Sequence, residues 1–292
     1  MKRLLLTGLS GFLGWNISKL YHHEWEILGL YNNRKIEIEK VKAVKANLTN
    51  HKLITNIFSS FKPDAVIHLA ALSIPNYCEI NQEESYAINV LSTEHLAILA
   101  AKANIPFVFT STDLVFNGKS APYNENSLPD PLSIYAKHKL LAEQKIIENY
   151  PHATICRMPL MYGESGNIAS SWLQDLLKSM HGKQELKLFT DEFRTPVSGT
   201  DAVKGLMLIL EKNYKGIIHL GGKEKISRYD FGIMVKDIFQ FQNATIIPLK
   251  QADIKMTAPR PANVSLDSSK AYSLGYNPSS ILDGLKNCFC NL

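Results

Sequence analysis

Thr7-Gly8-Leu9-Ser10-Gly11-Phe12-Leu13-Gly14 is the stretch on which the fold turns. It follows the apolar run Arg3–Thr7, which reads as a buried strand, and it opens Phe12–Tyr21, which reads as a helix. Gly8, Gly11 and Gly14 stand three apart. In a strand–turn–helix the first glycine permits the tight turn, the second lets backbone amides approach a pyrophosphate, and the third lets helix and strand pack closely. The helix N-terminus adds unpaired N–H groups and partial positive charge, which suit phosphate. A glycine triplet alone is a weak signal, and its place after the first strand of an alternating chain makes it a strong one. Ser10, Phe12 and Leu13 lie in the same turn and are expected at the dinucleotide with the glycines.

Outward from this turn, Trp25–Leu30, Val41–Ala46, Ala65–Leu69, Pro106–Ser111 and His152–Arg157 read as further strands. Leu53–Phe61, Glu83–Ala103 and Ser133–Asn149 read as helices, the first ended by Pro63-Asp64 and the last capped by Ser133. Alternating strand and helix predicts an α/β fold, a doubly wound parallel sheet covered on both faces. After Arg157 the pattern loosens. Ser170–Met180 reads as a helix, Lys187–Thr190 as a strand, and Thr200 as the cap of a helix through Glu211. The strand Ile217–Leu220, the Ser227-capped helix Arg228–Phe239 and a last helix near Ser279–Cys288 follow. The expected organisation is a dinucleotide-binding domain over 1–160, with 198–222 returning to it, and a smaller substrate lobe from 161–197 and 223–292.

Composition narrows the function classes. The chain has 292 residues, 45% hydrophobic and 20% charged, with net charge +5. The basic residues form no stripe, which argues against a nucleic-acid partner. No run approaches the ~18 apolar residues of a membrane span, and Leu4–Leu6 is followed at once by Gly8, Ser10 and Gly11, unlike a signal peptide. Cys78, Cys156, Cys288 and Cys290 form no disulfide framework and read as reduced thiols of a cytoplasmic protein. The nine histidines show no ligand spacing, so no metal site is expected.

The second strand of such a fold ends over the adenosine ribose, where an Asp or Glu accepts from the 2′-hydroxyl of NAD. Here the run is Tyr31-Asn32-Asn33-Arg34-Lys35, without a carboxylate. The planar fork of Arg34 suits a 2′-phosphate. NADP(H) is therefore the preferred cofactor, with NAD(H) as the alternative and Asn32 beside Arg34 at the ribose.

Tyr135 and Lys139 stand four apart on one helix and share a face. An ammonium beside a phenol favours phenolate and lowers the Tyr pKa, which suits a proton donor to a carbonyl oxygen. Thr112 ends the apolar strand before them, and ligands bind beyond the carboxyl ends of such strands.

These features resemble the extended short-chain dehydrogenase/reductase family. The resemblance rests on Gly8, Gly11 and Gly14, His68-Leu69-Ala70-Ala71, Asn89, Ser111-Thr112 and Tyr135-x-x-x-Lys139. Within it the chain is most similar to the dTDP-4-dehydrorhamnose reductases, through Ser111-Thr112-Asp113-Leu114-Val115-Phe116, Arg157-Met158-Pro159-Leu160-Met161-Tyr162-Gly163, Arg194-Thr195-Pro196 and Arg260-Pro261-x-Asn263. The resemblance covers nearly the whole chain. It implies Thr112 as hydroxyl anchor, Tyr135 as general acid and Lys139 as ribose binder that lowers the Tyr135 pKa. It places Asn47, Leu48, Leu69, Ala70, Ala71 and Asn89 at the cofactor, and Asp113, Leu160, Arg194 and Arg260 at a nucleotide-sugar substrate. A homodimer is the oligomer that the resemblance allows. Leu114 and Leu160 replace aromatic residues of rhamnose-pathway reductases, and Asn47-Leu48 replaces an Asp-Leu. Leucine cannot act as a base, so Leu114 argues against the dehydratases, which carry Glu there. The implied activity is NADPH-dependent reduction of a nucleotide-linked 4-keto sugar. The alternative is a non-catalytic NADP-binding subunit, similar to the regulatory subunit of methionine adenosyltransferase.

Overall fold

The structure, a computed structural model, describes residues 1–290 apart from 167, 168, 170 and 183. β1 (Lys2–Thr7) passes through the glycine turn into α1 (Phe12–Tyr21), followed by β2 (Trp25–Tyr31), β3 (Lys42–Lys45), α2 (His51–Phe61) and β4 (Ala65–His68). Two short helices, α3 (Pro75–Ile80) and α4 (Gln82–Tyr86), lead through a π-helical turn at Ala87–Leu91 into α5 (Ser92–Ala103). Then come β5 (Phe107–Thr112), α6 (Ile134–Asn149) and β6 (Thr154–Met158). The remainder runs β7 (Met161–Tyr162), α7 (Trp172–His181), β8 (Leu186–Phe189), β9 (Phe193–Arg194), β10 (Val197–Ser198), α8 (Gly199–Glu211) and β11 (Gly216–His219). It closes with β12 (Ile226–Ser227), α9 (Arg228–Ile238), β13 (Ile246–Leu249), α10 (Ser269–Ser273) and α11 (Ile281–Cys290).

Seven strands form one parallel sheet in the order β3-β2-β1-β4-β5-β6-β11. Side chains of a strand alternate between faces. Accordingly Leu4 and Leu6 enter one apolar layer with Ile17 of α1 and Leu206 of α8. Leu5 enters the other, with Phe58 of α2, Leu96 of α5 and Ile146 of α6. Both faces are covered, as the apolar runs predicted. The strand order reverses between β1 and β4, and in such sheets this switch point opens a ligand crevice at the carboxyl ends. A third apolar cluster joins Leu173 and Leu176 of α7, Phe231 and Val235 of α9 and Leu285 of α11. Around it lie three two-stranded pairings, β7 with β10, β9 with β12 and β8 with β13.

Three expectations need correction. The helix expected over Glu83–Ala103 is interrupted by the π turn, because a single wide turn leaves the helical period almost unchanged. α8 is capped by Ser198, whose hydroxyl accepts from Asp201 N at 3.1 Å, and Thr200 lies inside the helix. The helix expected from Ser170 begins at Trp172, and residue 170 lies outside the described residues, as does the side chain of Cys290. Among the described residues no helix is long and apolar enough to cross a membrane. None of their His, Cys, Asp and Glu side chains gather in a group of three or more that could hold a metal ion.

Candidate active site

The glycine turn divides its labour. Gly8 has φ +73°, and a Cβ there would lie 2.9 Å from Ala70 N. A Cβ on Gly14 would stand 2.2 Å from the Gly8 carbonyl oxygen. Gly11 has an ordinary φ of −84°, and a Cβ there would meet only the Gly8 oxygen, at 3.1 Å. The chain itself requires glycine at 8 and 14, whereas Gly11 keeps space clear at the start of α1. The turn residues Gly8, Ser10, Gly11, Phe12, Leu13 and Gly14 line a cavity of about 610 Å³. It passes Asn32 and Arg34 beyond β2, Asn47 and Leu48 beyond β3, and Leu69, Ala70 and Ala71 beyond β4, and it ends at Thr112, Tyr135 and Lys139. Lys35 is turned away to Glu37, 2.7 Å distant. The Ser111 hydroxyl in the same wall is buried without a hydrogen-bond partner.

Asn89 does not line this cavity. Its side-chain amide accepts from Leu72 N at 2.9 Å and donates to Leu72 O at 3.0 Å, so it acts on the pocket by pinning the loop after β4.

A second cavity of about 490 Å³ opens beside the first and shares Phe12, Thr112, Tyr135 and Met161 with it. Its walls include Asp113, Leu114, Leu160, Trp172 and a charged group centred on Glu192. Glu192 is fully buried, with Arg228 at 2.9 Å, Arg194 at 3.2 Å and Arg260 at 3.8 Å. Burial opposes its charge, yet the arginines hold the carboxyl below its usual range. Arg194 also approaches Asp113 at 3.5 Å and keeps only 5% of its side chain exposed. It therefore braces the pocket floor, whereas Arg228, at 18%, and Arg260, at 35%, retain surface. Arg228 lies 4.4 Å over the Trp172 ring.

α6 starts under close control. The Ser133 hydroxyl accepts from Ala136 N at 3.3 Å, and the Glu79 carboxylate of α3 accepts from Ile134 N at 2.8 Å. Tyr135 follows at once. One turn on, Lys139 is buried, donates to Thr110 O at 2.6 Å and lies 3.9 Å over the Phe109 ring. Burial pushes Lys139 down to about 7, with Glu143 opposing. Burial likewise pushes the Tyr135 phenol up, Asp113 and Cys78 add to this, and only the Thr112 hydrogen bond works the other way. The expected fall in Tyr135 pKa is thus absent from this arrangement, because burial outweighs the other causes at the phenol and the Lys139 ammonium is directed to Thr110 O. Asp113 is raised to about 6, burial outweighing Arg194 and Arg228.

All of residues 1–292 match one protein family, described as the RmlD substrate binding domain. The chain belongs to that family. Outside its own sequence, the RmlD-family chain is 31% identical to a dTDP-4-dehydrorhamnose reductase of Aggregatibacter actinomycetemcomitans, over 98% of each chain. It is 30% identical to the methionine adenosyltransferase 2 subunit beta of Xenopus laevis, over 94% of this chain and 83% of that one. The crystal structure of a Bacillus anthracis dTDP-4-dehydrorhamnose reductase in complex with NADP has a TM-score of 0.87 at 22% identity, over 100% of both chains, and so shares the fold. The resemblance read from the spaced glycines and Tyr135-x-x-x-Lys139 is borne out at the level of family and fold. Sequence patterns carried no signal for Trp172, Glu192 or Arg228 in the RmlD-family cleft, since they come from three separate segments with no shared spacing.

Proposed function

We propose that this chain uses NADPH to reduce the 4-keto group of a nucleotide-linked sugar. One observation carries the reading: the two cavities meet at Thr112 and Tyr135. A dinucleotide fits the first cavity because only the Gly8 oxygen stands near the open side of Gly11, α1 begins there with first-turn N–H groups that have no partner within the helix, and the Ser111 hydroxyl lacks a partner. Arg34 would take the 2′-phosphate, and Lys139 the ribose. Once bound, NADPH supplies the hydride. Tyr135 gives its phenolic proton to the carbonyl oxygen, and Thr112 fixes that oxygen beside it. Leu114 offers no base, which leaves reduction rather than dehydration. In the second cavity Arg228 and Arg260 suit the diphosphate, whose oxygens match guanidinium forks. Residues 1–160 with 198–222 are assigned to the dinucleotide, and 161–197 with 223–292 to the sugar nucleotide. The named activity of the Aggregatibacter actinomycetemcomitans relative makes dTDP-4-dehydrorhamnose the first substrate to try.

The test is NADPH oxidation across dTDP-, UDP- and GDP-linked keto sugars, with dTDP, UDP and GDP titrated into wild type and Arg260→Ala. Turnover of one such sugar, and diphosphate binding that weakens with Arg260→Ala and with salt, is the expected result. Reduction of simple ketones without binding of any diphosphate overturns the sugar-nucleotide reading.

The likeness to methionine adenosyltransferase 2 subunit beta favours a second reading, a regulatory subunit. Thr112 and Tyr135 at the junction of two cavities, with Lys139 in the first, favour catalysis. Tight NADPH binding without turnover of any keto sugar, beside a stable complex with a catalytic partner, would reverse that preference.

A further inference from the structure

Glu192 lies in the short loop between β8 and β9, buried in the wall of the second cavity. Its Oε1 accepts from Arg228 Nε at 2.9 Å and from Arg194 Nη2 at 3.2 Å. Its Oε2 is buried without a hydrogen-bond partner, and Arg260 Nη1 stands 3.8 Å away. The main chain joins the group as well. Arg228 N donates to Glu192 O at 3.1 Å, beside the antiparallel pairing of β9 with β12. One carboxylate thus serves three guanidiniums brought by three segments.

Coulomb's law makes this carboxylate an odd neighbour for an anionic ligand. It cancels part of the positive charge of the wall, and taking it out of water opposes folding. Geometry gives it a different task. Unrestrained, three close guanidiniums repel one another, and long arginine side chains lose rotamer freedom when a ligand orders them. Glu192 orders them before any ligand arrives.

We propose that Glu192 is a positioning residue that aims Arg228 and Arg260 at the diphosphate of a nucleotide sugar. The inference rests on the reading of the second cavity as the nucleotide-sugar site. The two carboxylate oxygens divide the work. Oε1 fixes Arg228 through Nε, which leaves the two terminal nitrogens of its fork for phosphate oxygens. The Trp172 ring, 4.4 Å from the Arg228 guanidinium, supports the same group. Oε2 holds Arg260 by charge alone, so no hydrogen bond between them has to break when that fork turns to the ligand. Arg194, with 5% of its side chain exposed, stays with the carboxylates of Glu192 and Asp113.

The test titrates dTDP, UDP and GDP by calorimetry into the NADP-loaded full chain, as wild type and as Glu192→Gln, with NADPH titrated into both proteins separately. Glu192→Gln keeps the shape and removes the charge. If Glu192 acted only as a charge, its loss would tighten diphosphate binding. The proposal requires the opposite, diphosphate binding weaker by about tenfold, as for two long side chains left to be ordered by the ligand. NADPH affinity should stay as it was, and with a turned-over sugar KM should rise more than kcat falls. Equal or tighter diphosphate binding in Glu192→Gln overturns the proposal. A matching loss of NADPH affinity overturns it too, since that marks a merely structural role. Should Glu192→Gln fail to fold, the charge-balanced pair Glu192→Gln/Arg194→Gln carries the same measurement with the same expected loss. Wild type that binds none of the three diphosphates defeats the sugar-nucleotide reading and the proposal together. Wild type that binds one, beside a variant that binds it as well, defeats the proposal alone.

Discussion

The Thr7 hydroxyl and the His68 ring, 61 residues apart in sequence, meet at 2.6 Å on the facing ends of β1 and β4. Thr7 Oγ1 accepts from Leu69 N and Ala70 N, so its own hydrogen goes to His68 Nδ1. His68 Nε2 then donates to Thr93, whose hydroxyl is committed to Asn89 O. Every partner is supplied with His68 neutral, and burial pushes its pKa down from 6.5 to about 3, with the Lys139 charge adding to this. The unfolded chain protonates His68 below about pH 6.5 and the native chain does not. Stability therefore falls as pH drops from about 6.5 towards 3, by up to about 1.4 kcal/mol per pH unit. His219, lowered by burial to about 4, acts in the same direction between 6.5 and 4. Asp113, raised to about 6 from 3.8, acts oppositely within its own window, where the native chain holds the extra proton. Urea melts between pH 7 and 4.5 should show a shallower acid loss for His68→Gln than for wild type. Parallel losses would remove His68 as a source.

Gly11 and Gly14 should separate binding from folding. A side chain on Gly14 runs into the Gly8 carbonyl, so Gly14→Ala should cost at least ~1–3 kcal/mol of stability, as overpacking does. Gly11→Val should cost less stability than Gly14→Ala, its Cβ meeting the Gly8 oxygen at 3.1 Å against 2.2 Å at Gly14, and should lose NADPH binding by calorimetry. Normal NADPH affinity in Gly11→Val would place the pyrophosphate elsewhere.

Arg34 faces the cavity and Lys35 faces Glu37. Arg34→Ala should weaken NADPH by ~1.5–3 kcal/mol, the worth of a charged hydrogen bond, and leave NADH nearly unchanged. Lys35→Ala should change neither. Equal losses for both cofactors would rule out Arg34 as the 2′-phosphate ligand.

Tyr135→Phe keeps the ring and removes the donor. With a turned-over substrate in hand, kcat should fall ~10²–10⁴-fold at little cost in NADPH affinity. Lys139→Met should harm both, because Lys139 is assigned to the ribose as well. Full activity in Tyr135→Phe would exclude the mechanism.

The nucleotide half of the molecule was legible because its signals are local. A strand, a turn and a helix each declare themselves within ten residues, and β1 with α1 fell where Arg3–Thr7 and Phe12–Tyr21 placed them. The second cavity was not legible in the same way. Glu192 is fully buried in a loop, neutralised by Arg194 from the neighbouring strand, Arg228 from the start of α9 and Arg260 from a later loop. No period links these positions. The two-residue strands β7, β9, β10 and β12 are too short to show alternation, and α3, which steadies α6 through Glu79, is less than two turns long. Tyr135 and Lys139 were found by spacing, but their charge balance depends on burial, which spacing does not report.

The π turn at Ala87–Leu91 makes the site sensitive to chain length. Ser92 N reaches back five residues to Ala87 O, and the Ser92 hydroxyl shares that oxygen. The turn therefore holds one residue more than an α-helix of the same rise would need. Deleting Leu91 would let it tighten to an α-helix, keeping the segments before and after it in phase but shifting Asn89 around the turn relative to α5. α5 would stay seated on the sheet through Leu96, Ala97 and Ala100, while Asn89 came off Leu72 and released the loop over the cofactor cavity. A one-residue deletion here could silence the protein without altering any side chain that meets cofactor or substrate. Deletions in this turn thus carry functional weight that a substitution at the exposed Leu91 would not.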